Sequence, residues 1–69
     1  MKTKIVENIK YYRKQLHMTQ EELAQVLCGK KSLVSNYENG YSTPDILTLC
    51  KLADIFEITL DELVEWTKE

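Results

Sequence analysis

Residues 19–40, reading TQEELAQVLCGKKSLVSNYENG, decide the fold of this 69-residue chain. Thr19 is followed three positions later by Glu22, a spacing typical of a capping box, in which each residue satisfies a backbone amide at a helix start. Apolar residues then recur at helical spacing: Leu23, Ala24 and Leu27. The first part of the stretch therefore predicts a short amphipathic helix.

The second part of the stretch predicts another short helix close behind the first. Gly29 ends the first helix or lies in the turn after it, and the next helix should cover about residues 31–39. Val34 and Tyr37 would face inward, and Gly40 would supply a left-handed stop. The stretch thus encodes two amphipathic helices joined by a tight turn.

The flanking sequence extends this pattern to five helices. One precedes the pair over about residues 5–16, with Ile5, Ile9, Tyr12 and Leu16 at helical spacing. The triplet Thr43-Pro44-Asp45 predicts the start of a fourth helix. Thr43 would be the N-cap, Pro44 the first helical residue and Asp45 an acidic residue of the first turn. Thr59 with Glu62 forms a second capping box and opens the fifth. No stretch alternates with the period of a strand, so we predict a compact all-α fold.

Composition agrees with one helical domain over residues 1–69. The chain is 43% hydrophobic and 29% charged, with only 2 Gly and 1 Pro, too few for a turn-rich β-barrel. No apolar run approaches the roughly 20 residues of a membrane span, and the N-terminus lacks a signal-peptide core. We therefore expect a cytoplasmic protein. Cys28 and Cys50 should remain thiols there, as small core or turn residues, with a redox switch as the alternative.

Charge is divided unevenly along the chain, whose formal net charge is −2. Residues 1–44 carry seven Lys and Arg against four Glu, a net +3, while residues 45–69 carry two Lys against seven acids, a net −5. Local sign decides whether a phosphate backbone is attracted. The basic part of the chain is also the part that contains the two-helix motif.

One set of motif residues runs along nearly the whole chain without a gap: Ile9, Arg13, Thr19-Gln20, Leu23-Ala24, Leu27, Val34-Ser35, Tyr37-Glu38, Gly40, Pro44, Leu49, Leu52-Ala53 and Leu60-Asp61-Glu62-Leu63. These residues carry a resemblance to the XRE family of small lambda-repressor-like and Cro-like helix-turn-helix proteins. It implies a five-helix domain with a helix-turn-helix at helices 2 and 3, whose third helix reads the major groove of double-stranded DNA, usually as a homodimer on a two-fold operator.

The resemblance also implies which residues meet DNA. Gln20, just inside helix 2, would bond a phosphate, although a generic first-turn residue is the alternative. Outward positions of helix 3 would meet bases or phosphates, with Leu33 near a thymine methyl; a merely solvated polar face is the alternative. The loop after helix 3 would meet the backbone. The expected set is Gln20, Lys30, Lys31, Ser32, Ser35, Asn36, Asn39 and Tyr41. Lys10 and Lys14 are either solvated or near phosphate.

The turn departs from the family pattern. The family often has Gly where Cys28 stands and Ser or Thr where Lys30 stands, as the cap of helix 3. A lysine cannot accept the free amides of a helix start, so helix 3 should begin later or be capped in another way. Lys30 also adds positive charge near the DNA backbone.

Two further roles follow from the resemblance. Arg13 and Glu38 would form a partly buried ion pair tying helix 1 to helix 3, with a phosphate contact by Arg13 as the alternative. Phe56, Ile58, Val64 and Trp66 are candidates for a dimer surface. Ile58 is the stronger candidate, because Trp66 near the C-terminus also fits core packing.

Nothing in the sequence predicts catalysis, a cofactor or a metal site. His17, the only histidine, stands where relatives often have Gly and should cap helix 1. His17, Cys28 and Cys50 lack the paired spacing of a zinc site. We therefore predict a transcriptional regulator, most simply a repressor. The alternative is a protein-interaction module, such as an antitoxin or anti-repressor, that uses the acidic helices 4 and 5.

Overall fold

The computed structural model describes residues 3–65, and its regular elements there are five α-helices. Their bounds are α1 Ile5–Gln15, α2 Gln20–Val26, α3 Lys31–Glu38, α4 Ile46–Phe56 and α5 Leu60–Val64. The all-α prediction is confirmed, and the predicted ends of α1 and α3 are each one residue too long. In residues 3–65 the longest helices have 11 residues, and none could cross a membrane.

One core holds the five helices together. Helices α2 and α3 pack against each other, while α1 lies against α3, α4 and α5. The most deeply buried side chains come from all five helices: Ile9, Leu23, Val34, Leu52 and Leu63. The prediction that Leu16 belongs to the apolar face of α1 is wrong, because α1 ends one residue earlier and Leu16 is 41% exposed at its C-cap.

Four of the helix ends in residues 3–65 use left-handed residues that are not glycine. His17 follows α1 at φ 56°, Cys28 follows α2 at φ 60°, Glu57 follows α4 at φ 57° and Glu65 follows α5 at φ 45°. At the first three ends the next residue donates its N–H to a carbonyl five positions back, as Gly29 does to Ala24 at 2.8 Å. This bond satisfies a helix carbonyl that would otherwise be free. L-residues are strained in this conformation, so packing must hold these turns.

The helix starts are fixed by side-chain oxygens at three places. Both predicted capping boxes, Thr19 with Glu22 and Thr59 with Glu62, are present. The prediction that Thr43 caps α4 with Pro44 at the first helical position is wrong. Asp45 is the cap, because its carboxylate accepts the Thr48 N–H at 2.8 Å, and this hydrogen bond holds the pKa of Asp45 below its usual value.

A buried asparagine fastens α1 to α5. The Asn8 Nδ2 donates to the carbonyl of Glu62 at 3.2 Å, to that of Leu63 at 3.0 Å and to the Glu65 side chain at 3.3 Å. The Lys4 N–H adds a bond to the Val64 carbonyl at 2.9 Å. These bonds satisfy carbonyls of a five-residue helix that has few internal hydrogen bonds of its own.

We expect Asn8→Ala to lower the free energy of unfolding by about 1–3 kcal/mol, because it leaves buried carbonyls of α5 without a donor. Urea unfolding followed by circular dichroism measures the change. Asn39→Ala is the matched control, since Asn39 is exposed and bonds only to the Ser35 hydroxyl. An equal loss of unfolding free energy in the two variants would show that the Asn8 hydrogen bonds stabilise the fold no more than the exposed Asn39 bond does.

Candidate nucleic-acid interface

A buried ion pair lies behind the helix-turn-helix. The Arg13 Nε donates to the Glu38 Oε2 at 2.6 Å, and the Arg13 Nη2 donates to the Glu38 Oε1 at 3.1 Å. The Arg13 side chain is 10% exposed and that of Glu38 only 3%. The third donor, Arg13 Nη1, bonds the Met18 carbonyl at 2.7 Å in the α1–α2 loop. The structure thus brings the expected partners together and adds a loop contact.

Gln20, the first residue of α2, joins the same network. Its Nε2 donates to the Glu38 Oε1 at 3.1 Å. The carboxylate of an ionised Glu38 only accepts hydrogen bonds, so the amide nitrogen of Gln20 must be the atom that faces it. An amide nitrogen carries two hydrogens, and Glu38 uses one of them. The second N–H and the oxygen of Gln20 remain available for another partner.

An open pocket lies at this end of α2. Its volume is about 450 Å³, and it is lined by Arg13, Thr19, Gln20, Glu21 and Lys31. The space at the start of α2 is therefore bordered by two cations, one amide and the Glu21 carboxylate. Helix starts favour anions. Gln20 belongs to α2 and Lys31 to α3. Because the two residues lie on different helices, their spacing in the sequence did not predict that they line the same pocket.

The outer face of α3 is polar and accessible. Lys31, Ser32 and Asn36 are exposed, whereas Leu33 and Ser35 are half-buried. Val34 and Tyr37 point into the core as predicted. Burial, followed by the nearby charge of Asp45, raises the pKa of Tyr37 above its usual value. The Asn36 amide and the Lys31 ammonium are therefore exposed on this face of α3 and can contact a partner.

The residues after α3 form a tight, exposed turn. Gly40 adopts φ 76°, as its predicted role as a helix stop requires. The Asn39 Nδ2 donates to the Ser35 Oγ at 3.2 Å, and the Tyr41 N–H bonds the Asn36 carbonyl at 2.9 Å. Tyr41 itself is 80% exposed. Ser35 can still donate its hydroxyl hydrogen, and the Tyr41 side chain is open to solvent.

The turn between α2 and α3 is held by packing more than by local preference. Lys30 occupies the N-cap of α3 with extended backbone and makes no side-chain cap bond. Cys28, not Gly29, takes the left-handed conformation. Gly29 lies close to helix α3: a Cβ there would lie 2.5 Å from the Leu33 Cδ2, so a larger residue would make the Leu33 side chain shift. Helix α3 therefore begins at Lys31 with its first amides uncapped by Lys30.

The four residues predicted as candidates for a dimer surface differ in burial. Phe56 is a core residue, 6% exposed and stacked on Tyr12 with ring centroids 5.7 Å apart, so its candidacy for a dimer surface is wrong. Ile58 is half-buried, in the α4–α5 connection, and Val64 is half-buried too. Trp66 lies outside the described residues.

Comparison with known proteins identifies the class of this interface. Residues 9–63 match the sequence pattern of the family described as helix-turn-helix. The chain belongs to the helix-turn-helix family. The XRE resemblance is therefore confirmed, and the family is one of non-enzymatic DNA-binding proteins, in agreement with the prediction of no catalysis.

The relatives and the structural neighbour extend beyond this chain. It is 36% identical over 59 residues to the uncharacterized HTH-type transcriptional regulator YqaE of Bacillus subtilis, covering 86% of this chain and 51% of YqaE. It is 35% identical over 60 residues to the cryptic phage CTXphi transcriptional repressor RstR of Vibrio cholerae, covering 87% and 54%. A transcriptional regulator from Listeria innocua superposes with a TM-score of 0.90 at 29% identity, over all of this chain and 64% of that one. The chain spans about half the length of the curated relatives it matches.

We expect Arg13→Ala to lower the free energy of unfolding by about 3–5 kcal/mol, because it strands the Glu38 carboxylate in a nearly dry site. Lys14→Ala, which removes the exposed cation next to it, should cost far less. The double variant Arg13→Met with Glu38→Leu should lose less than Arg13→Ala alone, since no buried charge is left. Denaturant unfolding of the four proteins measures these differences, and a double variant that is the least stable of all would contradict the stranded-charge argument.

We expect Lys30→Ser to raise the free energy of unfolding by about 0.5–2 kcal/mol, because a serine oxygen at the N-cap can accept a free amide of α3. Lys31→Ser is the matched control: it also removes a lysine, but one position inside the helix, where no cap forms. Thermal unfolding of both variants tests this. A gain in both would assign the effect to charge, not to capping.

Proposed function

We propose that this chain is a sequence-specific, double-stranded DNA-binding transcriptional regulator, acting in the cytoplasm as a dimeric repressor on a two-fold operator. The observation that carries the proposal is the exposed polar face of α3, set beside the partly free amide of Gln20 within a helix-turn-helix. Helix α3 would enter the major groove while α2 crosses the backbone.

The chemistry of α3 suits base recognition. The Asn36 amide can pair with both the N6 and N7 positions of adenine, and Lys31 can donate to guanine acceptors. Ser32 and Ser35 can bond either bases or phosphates. Leu33 is half-buried, so only part of its side chain is available to a thymine methyl. Recognition of bases would therefore rest chiefly on Asn36, because Lys31 also borders the pocket at the start of α2.

The pocket at the start of α2 suits a backbone phosphate. The second N–H of Gln20, the Lys31 ammonium and the helix start all border it, and phosphate contacts fix the register of a protein on DNA. The bond to Glu38 at 3.1 Å already restricts the Gln20 amide, which lowers the entropic cost of a phosphate contact. Lys30, Asn39 and Tyr41 are exposed on either side of α3 and would meet the flanking backbone.

Charge supports the same orientation. The excess of positive charge lies in residues 1–44, which contain α1, α2 and α3, while the acids concentrate in residues 45–69. DNA would be attracted to the helix-turn-helix side and repelled from α4 and α5. RstR, named as a transcriptional repressor, is among the relatives, which supports repression as the direction of control.

The acidic surface of α4 and α5 supports a second candidate, a protein-interaction module of the antitoxin or anti-repressor type. Glu57, Asp61, Glu62 and Glu65 are all exposed there. These residues would remain free while α3 occupied DNA. Co-purification with a neighbouring protein, together with no affinity for any duplex, would favour this function over the first.

We expect selection from random duplex DNA to enrich a site with two-fold symmetry, and both Asn36→Ala and Gln20→Ala to weaken binding to it. Asn36→Ala should cost about 1–3 kcal/mol and relax sequence preference at one position. Gln20→Ala should weaken all sequences alike, because it contacts a phosphate. Shift assays over a range of salt concentrations measure both effects.

Gln25→Ala is the control, since it removes the same side chain from an exposed position near the other end of α2. Lys31→Ala should also reduce the slope of log affinity against log salt by about 1 if it loses one phosphate contact. Selection that enriches no site, or full binding by both Asn36→Ala and Gln20→Ala, would reject the DNA-reading model.

A further inference from the structure

The side-chain amide of Gln20 has two ends of opposite chemistry. Its nitrogen donates hydrogen bonds and its oxygen only accepts them, although the two ends have nearly the same shape. Gln20 lines the pocket at the start of α2 together with Lys31. A phosphate oxygen is an acceptor, so it attracts the nitrogen end of the amide and repels the oxygen end. The orientation of this amide therefore decides whether its contact with a phosphate is favourable.

The carboxylate of Glu38 selects one of the two orientations. The Gln20 Nε2 lies 3.1 Å from the Glu38 Oε1, the same oxygen that accepts a bond from the Arg13 Nη2 at 3.1 Å. An ionised carboxylate only accepts hydrogen bonds. A reversed amide would set the Gln20 oxygen against the Glu38 oxygen, two acceptors with no hydrogen between them. The nitrogen of Gln20 is therefore held beside Arg13, which also lines the pocket.

Glu38 can influence DNA binding only through the residues that it holds. Its side chain is 3% exposed, too little for direct contact with DNA. Its negative charge would by itself weaken the attraction of a phosphate to the pocket. Two of its hydrogen bonds come from Arg13 and join α1 to α3. The bond from Gln20 is the one that connects Glu38 to a residue expected to contact DNA.

We propose that Glu38 is a positioning residue for DNA binding, which acts by fixing the orientation of the Gln20 amide. Its charge holds the nitrogen end in place, so that the second N–H is presented to a backbone phosphate. The proposal rests on the proposed function, in which the pocket at the start of α2 receives that phosphate. It gives Glu38 a role in affinity that the ion pair with Arg13 does not include.

Shift assays of Glu38→Gln on the duplex that selection enriches test the proposal. The new amide has nearly the size of the carboxylate but both accepts and donates, so Gln20 can turn either way. The affinity should fall about tenfold, as expected for the loss of one hydrogen bond to a charged group. Electrostatics alone predicts the opposite sign, because the variant removes a negative charge from behind the pocket.

The double variant Gln20→Ala with Glu38→Gln separates positioning from a structural role. In the Gln20→Ala background, Glu38→Gln should not weaken binding further, because no amide remains to be oriented. Sequence preference at the base read by Asn36 should be unchanged in Glu38→Gln. A further loss in the double variant, or an altered preference, would assign the effect to displacement of α3 and overturn the proposal. Glu57→Gln is the control for charge, since it removes an acid from the exposed C-cap of α4, and it should bind like the wild type.

Nuclear magnetic resonance of the side-chain amides tests the orientation without DNA. In the wild-type protein one Gln20 amide proton should be shifted downfield of those of Gln25, which is exposed. Glu38→Gln should reduce this shift, and circular dichroism checks that the fold is retained. A wild-type Gln20 amide that resembles that of Gln25 would overturn the proposal whatever the DNA result. A fixed amide with full DNA binding by Glu38→Gln would overturn this proposal alone, whereas a wild-type chain that binds no duplex would reject the proposed function as well.

Discussion

The carboxylate of Glu38 is the contact on which the arrangement of the helix-turn-helix depends. It ends α3, accepts two bonds from Arg13 of α1 and accepts one from Gln20 at the start of α2. Arg13 in turn bonds the Met18 carbonyl in the loop that leads into α2. One buried charge thus relates three helices and a loop. Its burial is tolerated because each of its oxygens is matched by donors, one of them a full positive charge.

This network matters because local sequence supports the motif unevenly. Thr19 and Glu22 define the start of α2 strongly, yet the turn that follows contains a left-handed Cys28 and an uncapped α3. Both features cost stability that a glycine and a serine would avoid. Contacts made elsewhere must therefore hold α3 in place. Val34 and Tyr37 do so from the core side, and Glu38 does so at the C-terminal end.

The helices were predictable because capping boxes and apolar periodicity involve residues only a few positions apart in the sequence. Capping boxes at Thr19 and Thr59 act over three residues, and both appear as expected. The start of α4 was misassigned because Thr43, Pro44 and Asp45 offer two acceptable caps, and only the bond from Thr48 distinguishes them. Leu16 was misassigned because its apolar type fits the period of α1, although the helix ends at Gln15. The exact first and last residues of a helix depend on the conformation of the adjoining turn, which these patterns do not specify.

Contacts between distant residues were not predictable from pattern. Asn8 is a single polar residue on an apolar face, and nothing in its surroundings indicates that it bonds α5 more than fifty positions away. The link from Gln20 to Glu38 is of the same kind, since the two residues belong to different helices. The Arg13–Glu38 pairing was expected only through resemblance, because its distance in sequence follows no local rule.

The distribution of charge along the chain fits DNA binding by the helix-turn-helix. A surface that contacts DNA tolerates an excess of positive charge, because phosphates supply the negative charge. The basic excess lies in residues 1–44, which contain α1, α2 and α3, whereas residues 45–69 are acidic. Net charge, which is −2 for the chain, conceals both. The arrangement of charge by surface therefore carries the functional information that composition alone does not.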